Sequence, residues 1–405
     1  MSSIIEQLAS QQVWEEFLAY RLKKGRFNWR GFDEADLFVE KEEYLPAARK
    51  IIGGGQFAPP QKKLINKMGS DKKRVVYSYG SEEMSLLKAL SFLLYRYDDS
   101  FASNCYAFRR GVRASDAVLK VRKLVAGRRL WAYKTDIHDY FNSIPIPLLL
   151  PKLKSLLSDD PALYEFFERM LSDDRAEFGG QIIHERHGVM AGLPTAPFLA
   201  DVYLSDVDHY FENKGVIYAR YSDDIIIFAE DEQTLQEHKR TLLRFLAEAS
   251  LEVNPSKERT FTPDEPFEFL GFSCHGDEID VGPSSIEKMK GKIRRKTRAL
   301  LRWKKRKGIP HEKAMERMIT YFNRKFYDTD PEAEGRTLTW ARWYFPVITT
   351  ADGLRVIDHY LQQCIRTLKT GRHNSATARI PYETLKNLGY RSLVHEYYTF
   401  KNDRQ

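Results

Sequence analysis

Two short runs rich in β-branched and aromatic residues, 216–221 (VIYARY) and 225–229 (IIIFA), are separated by Ser222-Asp223-Asp224. Each run suits a paired strand, so Tyr221-Ser222-Asp223-Asp224 reads as a hairpin that holds two adjacent carboxylates at its tip. Asp pairs in turns are common, because Asp tolerates turn geometry and hydrogen-bonds its own backbone. Taken alone, the hairpin fits a solvated turn as well as it fits a site. A third carboxylate in a matching setting, Asp136, shifts the balance.

Asp136 lies in residues 134–144 (KTDIHDYFNSI). Trp131, Tyr133 and Thr135 alternate with Ala132 and Lys134, a pattern that suits a strand ending at the Asp. The prolines that follow mark a helix start. A carboxylate at a strand end, facing a carboxylate-tipped hairpin, is the donor set that two-metal phosphoryl transfer requires. Two Mg²⁺ ions about 3.5–4 Å apart clamp the attacking and leaving oxygens, and Mg²⁺ takes carboxylate and substrate phosphate oxygens as ligands.

With these residues in view, the chain resembles the reverse transcriptases, whose palm carries an aspartate-plus-aromatic motif and a Tyr-X-Asp-Asp hairpin. Further blocks follow in the family's order. Residues 106–117 (YAFRRGVRASDA) are similar to the fingers block of bacterial members, and 188–204 (GVMAGLPTAPFLADVYL) to the loop and helix between the two carboxylate motifs. Residues 251–260 (LEVNPSKERT) resemble the block with the late lysine, and 267–272 (FEFLGF) the primer-grip hairpin. The resemblance covers residues 70–275 or so and implies an α+β fold: a right-hand polymerase with fingers, a ferredoxin-like palm and a helical thumb. The expected division is an N-terminal extension over 1–70, fingers over 71–130, a catalytic palm over 131–283, and a helical thumb and C-terminal region over 284–405. The extension includes the aromatic-charged stretch 27–38 and a loop over 53–60.

The same resemblance assigns roles. Asp136 and Asp223 are expected to bind the metal, with Asp224 as the supporting carboxylate and Mn²⁺ as a substitute for Mg²⁺. Phe141 lies where the family has an aromatic steric gate, whose ring would clash with a ribose 2′-hydroxyl; a plain core aromatic is the alternative. Lys257 matches the lysine that donates a proton to departing pyrophosphate, and is otherwise a turn residue. Lys73, Arg74 and Arg109 are candidate triphosphate or template contacts, since guanidinium forks suit phosphate oxygens. The loop that usually reads Pro-Gln-Gly is Met190-Ala191-Gly192 here. In the family that Gln lies against the nucleotide sugar, so Ala191 alters the expected contact. Ser222 replaces the more usual Ala, Val or Met, and little is expected of that change.

Composition bears on partners. The chain has 405 residues and a net charge of +8, more than one hydrophobic core usually supports. Residues 288–307 hold twelve Lys or Arg and no acid, which leaves the rest of the chain at −4. Ile286, Met289, Ile293, Leu300 and Leu301 fall near helical spacing, so this is a helix with one apolar face and a basic remainder. A solvated face normally mixes both signs; unrelieved positive charge belongs beside phosphates. Arg294, Arg295, Arg298 and Arg302 are the expected nucleic-acid contacts. Cys105, Cys274 and Cys364 are widely spaced, which argues against a zinc cluster or disulfide framework and fits reducing cytoplasm. No run approaches the ~18 apolar residues of a membrane span, and the first residues lack the basic start and apolar core of a signal peptide.

The expected partners are therefore an RNA template, dNTPs and a DNA product, with no membrane. No RNase H domain or zinc-finger endonuclease is expected after the thumb, and the Val-Thr-Gly motif of retron enzymes is not found. The compact layout, residues 73–79 (KRVVYSY) and the Ala191 loop look most like the bacterial defence-associated reverse transcriptases. That likeness implies antiviral defence with a dedicated non-coding RNA. An RNA-binding maturase-like scaffold, a retron- or intron-type enzyme without a defence role, and an RNA polymerase copying RNA stay open, although Phe141 argues against the last and an intact carboxylate triad argues against a decayed enzyme.

Overall fold

A computed structural model describes residues 2–23, 36, 38–66, 73–185, 188–327, 339–371 and 380–403. Most of the 27–38 stretch lies outside them. The chain divides into two compact units, Met1–Asp264 and Glu265–Gln405. No helix among the described residues is long and apolar enough to cross a membrane.

The first unit is built on a four-stranded antiparallel sheet of β3 (Trp131–Asp136), β6 (Tyr218–Tyr221), β7 (Asp224–Ala229) and β8 (Arg259–Phe261), in the spatial order β6-β7-β3-β8. The helix Ala196–Asn213 precedes β6, and Glu232–Glu248 joins β7 to β8. Strand–helix–strand–strand–helix–strand with this order is the split βαβ, ferredoxin-like arrangement. Side chains alternate across a strand. Tyr133, Ile225 and Ile227 accordingly join one buried cluster with Leu199, Val202, Leu235 and Leu242 of the two helices, while Asp136 and Asp224 fall on the opposite face.

A second sheet, β2-β1-β4-β5, pairs β1 (Gln61–Asn66) with β2 (Lys73–Ser78) and β4 (Arg175–Phe178) with β5 (Gln181–His184). Gly179 and Gly180, with φ of 61° and 81°, form the two-residue turn that matches strand twist. The helix Ile146–Leu156 begins after Pro145, as the prolines predict. The N-terminal helices Ile4–Gln7 and Gln11–Lys23 bury Ile4, Ile5, Trp14 and Phe17. Asp160 accepts from Ile4 N at 2.7 Å and Leu163 N at 3.2 Å, capping two helices at once.

The second unit starts with a meander of β9 (Phe267–Phe269), β10 (Phe272–His275) and β11 (Glu278–Val281). Leu270 and Gly271, with φ of 51° and 83°, make its first turn. Helices follow. Pro283–Lys307 packs on Asp352–Thr370 and His311–Phe326, burying Met289, Ile293, Thr297 and Leu300.

Candidate active site

The β3–β7 register sets Asp136 opposite Asp224, and β6 pairs Tyr221 with the same Asp224. The hairpin turn is therefore only Ser222 and Asp223, and Asp224 is already a strand residue. Ser222 takes φ 60°, a left-handed conformation that disfavours any side chain. Backbone bonds hold the carboxylate-bearing segments together: Ile137 N donates to Asp223 O at 3.0 Å, and Asn254 N to Asp136 O at 2.7 Å.

Three carboxylates on one patch repel, and the protein answers with two ammonium groups. Lys257 Nζ donates to Asp136 Oδ2. Lys134 Nζ lies 3.3 Å from Asp224 Oδ1, yet that oxygen is buried and receives no hydrogen bond. Burial pushes the Asp223 carboxyl up to about 6, with repulsion from Asp136 and Asp224 adding and Lys257 opposing. Burial also raises Asp224, against the pull of Lys134. Among the described residues, no group of three or more His, Cys, Asp or Glu side chains forms a metal cage by itself. Lys134 is the charge partner of the buried Asp224 oxygen.

Beneath the hairpin lies a network that the sequence reading passed over. Arg220 is fully buried. Its guanidinium bonds both oxygens of Asp208, Asp201 Oδ1 at 3.1 Å, Cys105 Sγ at 3.1 Å and the Ser222 carbonyl at 3.3 Å. Tyr218 OH also donates to Asp208 Oδ1, at 2.9 Å. Two signals were available: an Arg between apolar strand residues, and two acids seven apart in the apolar stripe of the Ala196–Asn213 helix, hence on one helical face.

Phe141 is half-buried at the start of the short helix Tyr140–Ser143. Its carbonyl accepts from Val189 N at 2.8 Å, and Asn142 Oδ1 accepts from Ala191 N at 3.2 Å. The Ala191 carbonyl in turn accepts from Tyr77 N of β2 at 2.8 Å. Gly192 (φ 103°) is required at this seam, because a Cβ there would sit 2.9 Å from the Tyr77 carbonyl. Ala191 is thus joined by main-chain bonds to the Phe141 segment and to the strand that carries Lys73 and Arg74, both exposed. Arg109 is spent differently: it donates to the carbonyls of Asp98 and Ala102 at 2.9 Å and of Cys105 at 3.2 Å, anchoring its own loop.

In the second unit, Arg294, Arg295, Arg298 and Arg302 all lie on the exposed side of Pro283–Lys307. Arg294 Nε donates to Tyr360 OH at 3.3 Å.

The family model described as reverse transcriptase (RNA-dependent DNA polymerase) matches residues 65–274, more than half of the chain. The chain belongs to the reverse transcriptase family, and its α+β fold is that of a right-hand polymerase. It is 28% identical over 142 residues to the retron Mx65 reverse transcriptase of Myxococcus xanthus, covering 33% of each chain. It is 34% identical over 95 residues to a retrovirus-related Pol polyprotein from the transposon opus of Drosophila melanogaster, covering 24% of this chain and 9% of that one. Among solved structures, a Candida tropicalis telomerase truncated from its C-terminal domain aligns with TM-score 0.47 and 14% identity, over 56% of this chain and 55% of that chain. The chain thus spans a third or less of the length of these curated relatives.

Proposed function

We propose that this chain is an RNA-directed DNA polymerase that extends DNA on an RNA template by two-metal phosphoryl transfer. One observation carries the reading: Asp136 and Asp224 face each other in register, with Asp223 beside them at the hairpin turn. Asp136 and Asp223 would hold the Mg²⁺ ions, or Mn²⁺ in their place, with Asp224 supporting them. Bound there, the metals supply charge neutralisation for the attacking and leaving oxygens. Lys257, paired with Asp136, would give a proton to the departing pyrophosphate. Phe141 would select deoxynucleotides. Lys73 and Arg74, both exposed, and Arg109, whose guanidinium also ties down its own loop, would meet the triphosphate or template.

In this reading residues 71–130 act as fingers, 131–283 as palm and 284–405 as thumb, after an extension over 1–70. Arg294, Arg295, Arg298 and Arg302 grip the primer–template. The likeness to defence-associated bacterial enzymes extends the proposal to cytoplasmic anti-phage defence, with a dedicated non-coding RNA as template.

The test is Asp223→Ala combined with Asp224→Ala. The double variant should lose dNTP incorporation while keeping its fold and its affinity for RNA; incorporation at the wild-type rate would overturn the mechanism. A phage challenge of cells carrying either form tests the defence role, and equal protection by both would refute a polymerase-dependent one.

A further inference from the structure

Phe108 combines two features that rarely coincide. It is a bulky residue with φ 57°, and 37% of its surface is exposed. Left-handed backbone in an aromatic residue persists only where the surroundings impose it. Both flanks are pinned. Tyr106 N donates to Arg220 O at 2.9 Å; on the other side, the Arg109 guanidinium binds three carbonyls and Arg110 N donates to Asp98 Oδ2 at 2.6 Å. Between these anchors the Phe108 ring turns edge-on to Phe141, with centroids 6.0 Å apart and planes at 64°.

Phe141 therefore has two ring neighbours. One is Tyr140, 5.7 Å away and buried, with its hydroxyl donating to Ala200 O. The other is exposed Phe108, in edge contact. A ring excludes a 2′-hydroxyl only if it cannot swing aside, and of the two neighbours Phe108 is the one at the surface.

We propose that Phe108 is a positioning residue of the sugar gate: its edge contact braces the Phe141 ring and so sets how strictly deoxynucleotides are preferred. The inference rests on the gate reading of Phe141. The strained backbone is the device that carries the brace to its place.

The experiment measures dATP and ATP affinity for the full chain bound, in Mg²⁺, to poly(rU) with an oligo(dA) primer ending in a dideoxynucleotide, so that nothing turns over. Phe108→Ala should lower the preference for dATP over ATP about two- to tenfold, the range for loss of one edge-to-face pair. Phe108→Tyr, which keeps a ring, should retain the preference. Phe141→Ala should lower it further, and the double variant should match Phe141→Ala, because the brace then has nothing to hold. A merely loosened fold would weaken both nucleotides alike and leave their ratio unchanged. If Phe141→Ala relaxes the preference and Phe108→Ala does not, the brace is refuted and the gate stands. A double variant more permissive than Phe141→Ala also refutes the brace. If neither single variant changes the ratio, the gate reading fails and takes the brace with it; if the wild type binds no nucleotide, the polymerase reading fails. Phe108→Gly, which adopts positive φ freely, covers the case in which Phe108→Ala is unstable.

Discussion

Arg220 Nε donates to both carboxylate oxygens of Asp208, at 2.9 and 3.1 Å, and neither side chain reaches solvent. Removing one partner strands the other charge in the interior. Asp208→Ala or Arg220→Met should each cost about 3–5 kcal/mol, whereas Asp208→Leu with Arg220→Met should cost less than either alone. Urea denaturation of the three variants decides it, and a double variant no better than the singles would show that the pair is worth more than an apolar replacement.

Asp201 shares that guanidinium, and burial pushes its carboxyl up to about 7, with Asp208 adding and Arg220 opposing. An unfolded Asp titrates near 3.9. The folded state thus keeps a proton that the unfolded chain releases, so this stabilising contribution is complete below about pH 4 and is lost as pH rises through about 7. Relative to Asp201→Asn, the wild type should lose stability between about pH 5 and 7.5, and the two curves should run parallel above about pH 8. Unfolding free energies at five pH values across that span would show it; a difference independent of pH would contradict the assigned protonation.

Ser222 carries φ 60° at the hairpin turn. Left-handed backbone costs a residue with a side chain roughly 1–2 kcal/mol, part of which glycine returns through its own greater chain entropy. Ser222→Gly should therefore raise stability by up to about 1 kcal/mol, and Ser222→Val should lower it by more. Thermal unfolding of both is the check, and equal midpoints would mean that the turn is unstrained.

On the basic helix, Lys288, Arg294, Arg295, Arg298, Arg302 and Lys305 recur on the exposed side, opposite buried Met289, Ile293, Thr297 and Leu300. Replacing Arg294, Arg295, Arg298 and Arg302 by Gln should flatten the slope of log affinity against log salt by about 0.9 for each arginine that meets a duplex phosphate, and shorten products. An unchanged slope would leave this a solvated face. Gly291 is half-buried on the same side of the helix, and a Cβ there would meet only the end of the Arg295 side chain, at 3.6 Å. Gly291→Ala should consequently stabilise the fold by about 1 kcal/mol.

The sequence made the carboxylate geometry legible because both motifs are local. Alternation placed Asp136 at a strand end, and the two β-branched runs fixed the hairpin. Local pattern overstated one point: Asp224 lies within β7 rather than at the tip, since pairing with Tyr221 closes the turn one residue earlier. Long-range bonds were not legible. Arg109 suits a triphosphate or template contact on its chemistry, and nothing local shows that three carbonyls, at positions 98, 102 and 105, converge on it. The Arg220 network joins residues more than a hundred positions apart, and β1 finds β4 across a similar gap. Such partners are chosen by the folded topology, not by their neighbours in the chain.

The main-chain tethers at Ala191 have a practical meaning. Its N–H is held by the Asn142 side chain and its carbonyl by the Tyr77 amide, so no atom beyond its backbone fixes where the segment runs. Position 191 is therefore an interchangeable part. If the chain works as proposed, a library of polar, apolar and aromatic residues there would vary the contact with the nucleotide sugar while the frame stays put, making it the natural first address for tuning accuracy by design.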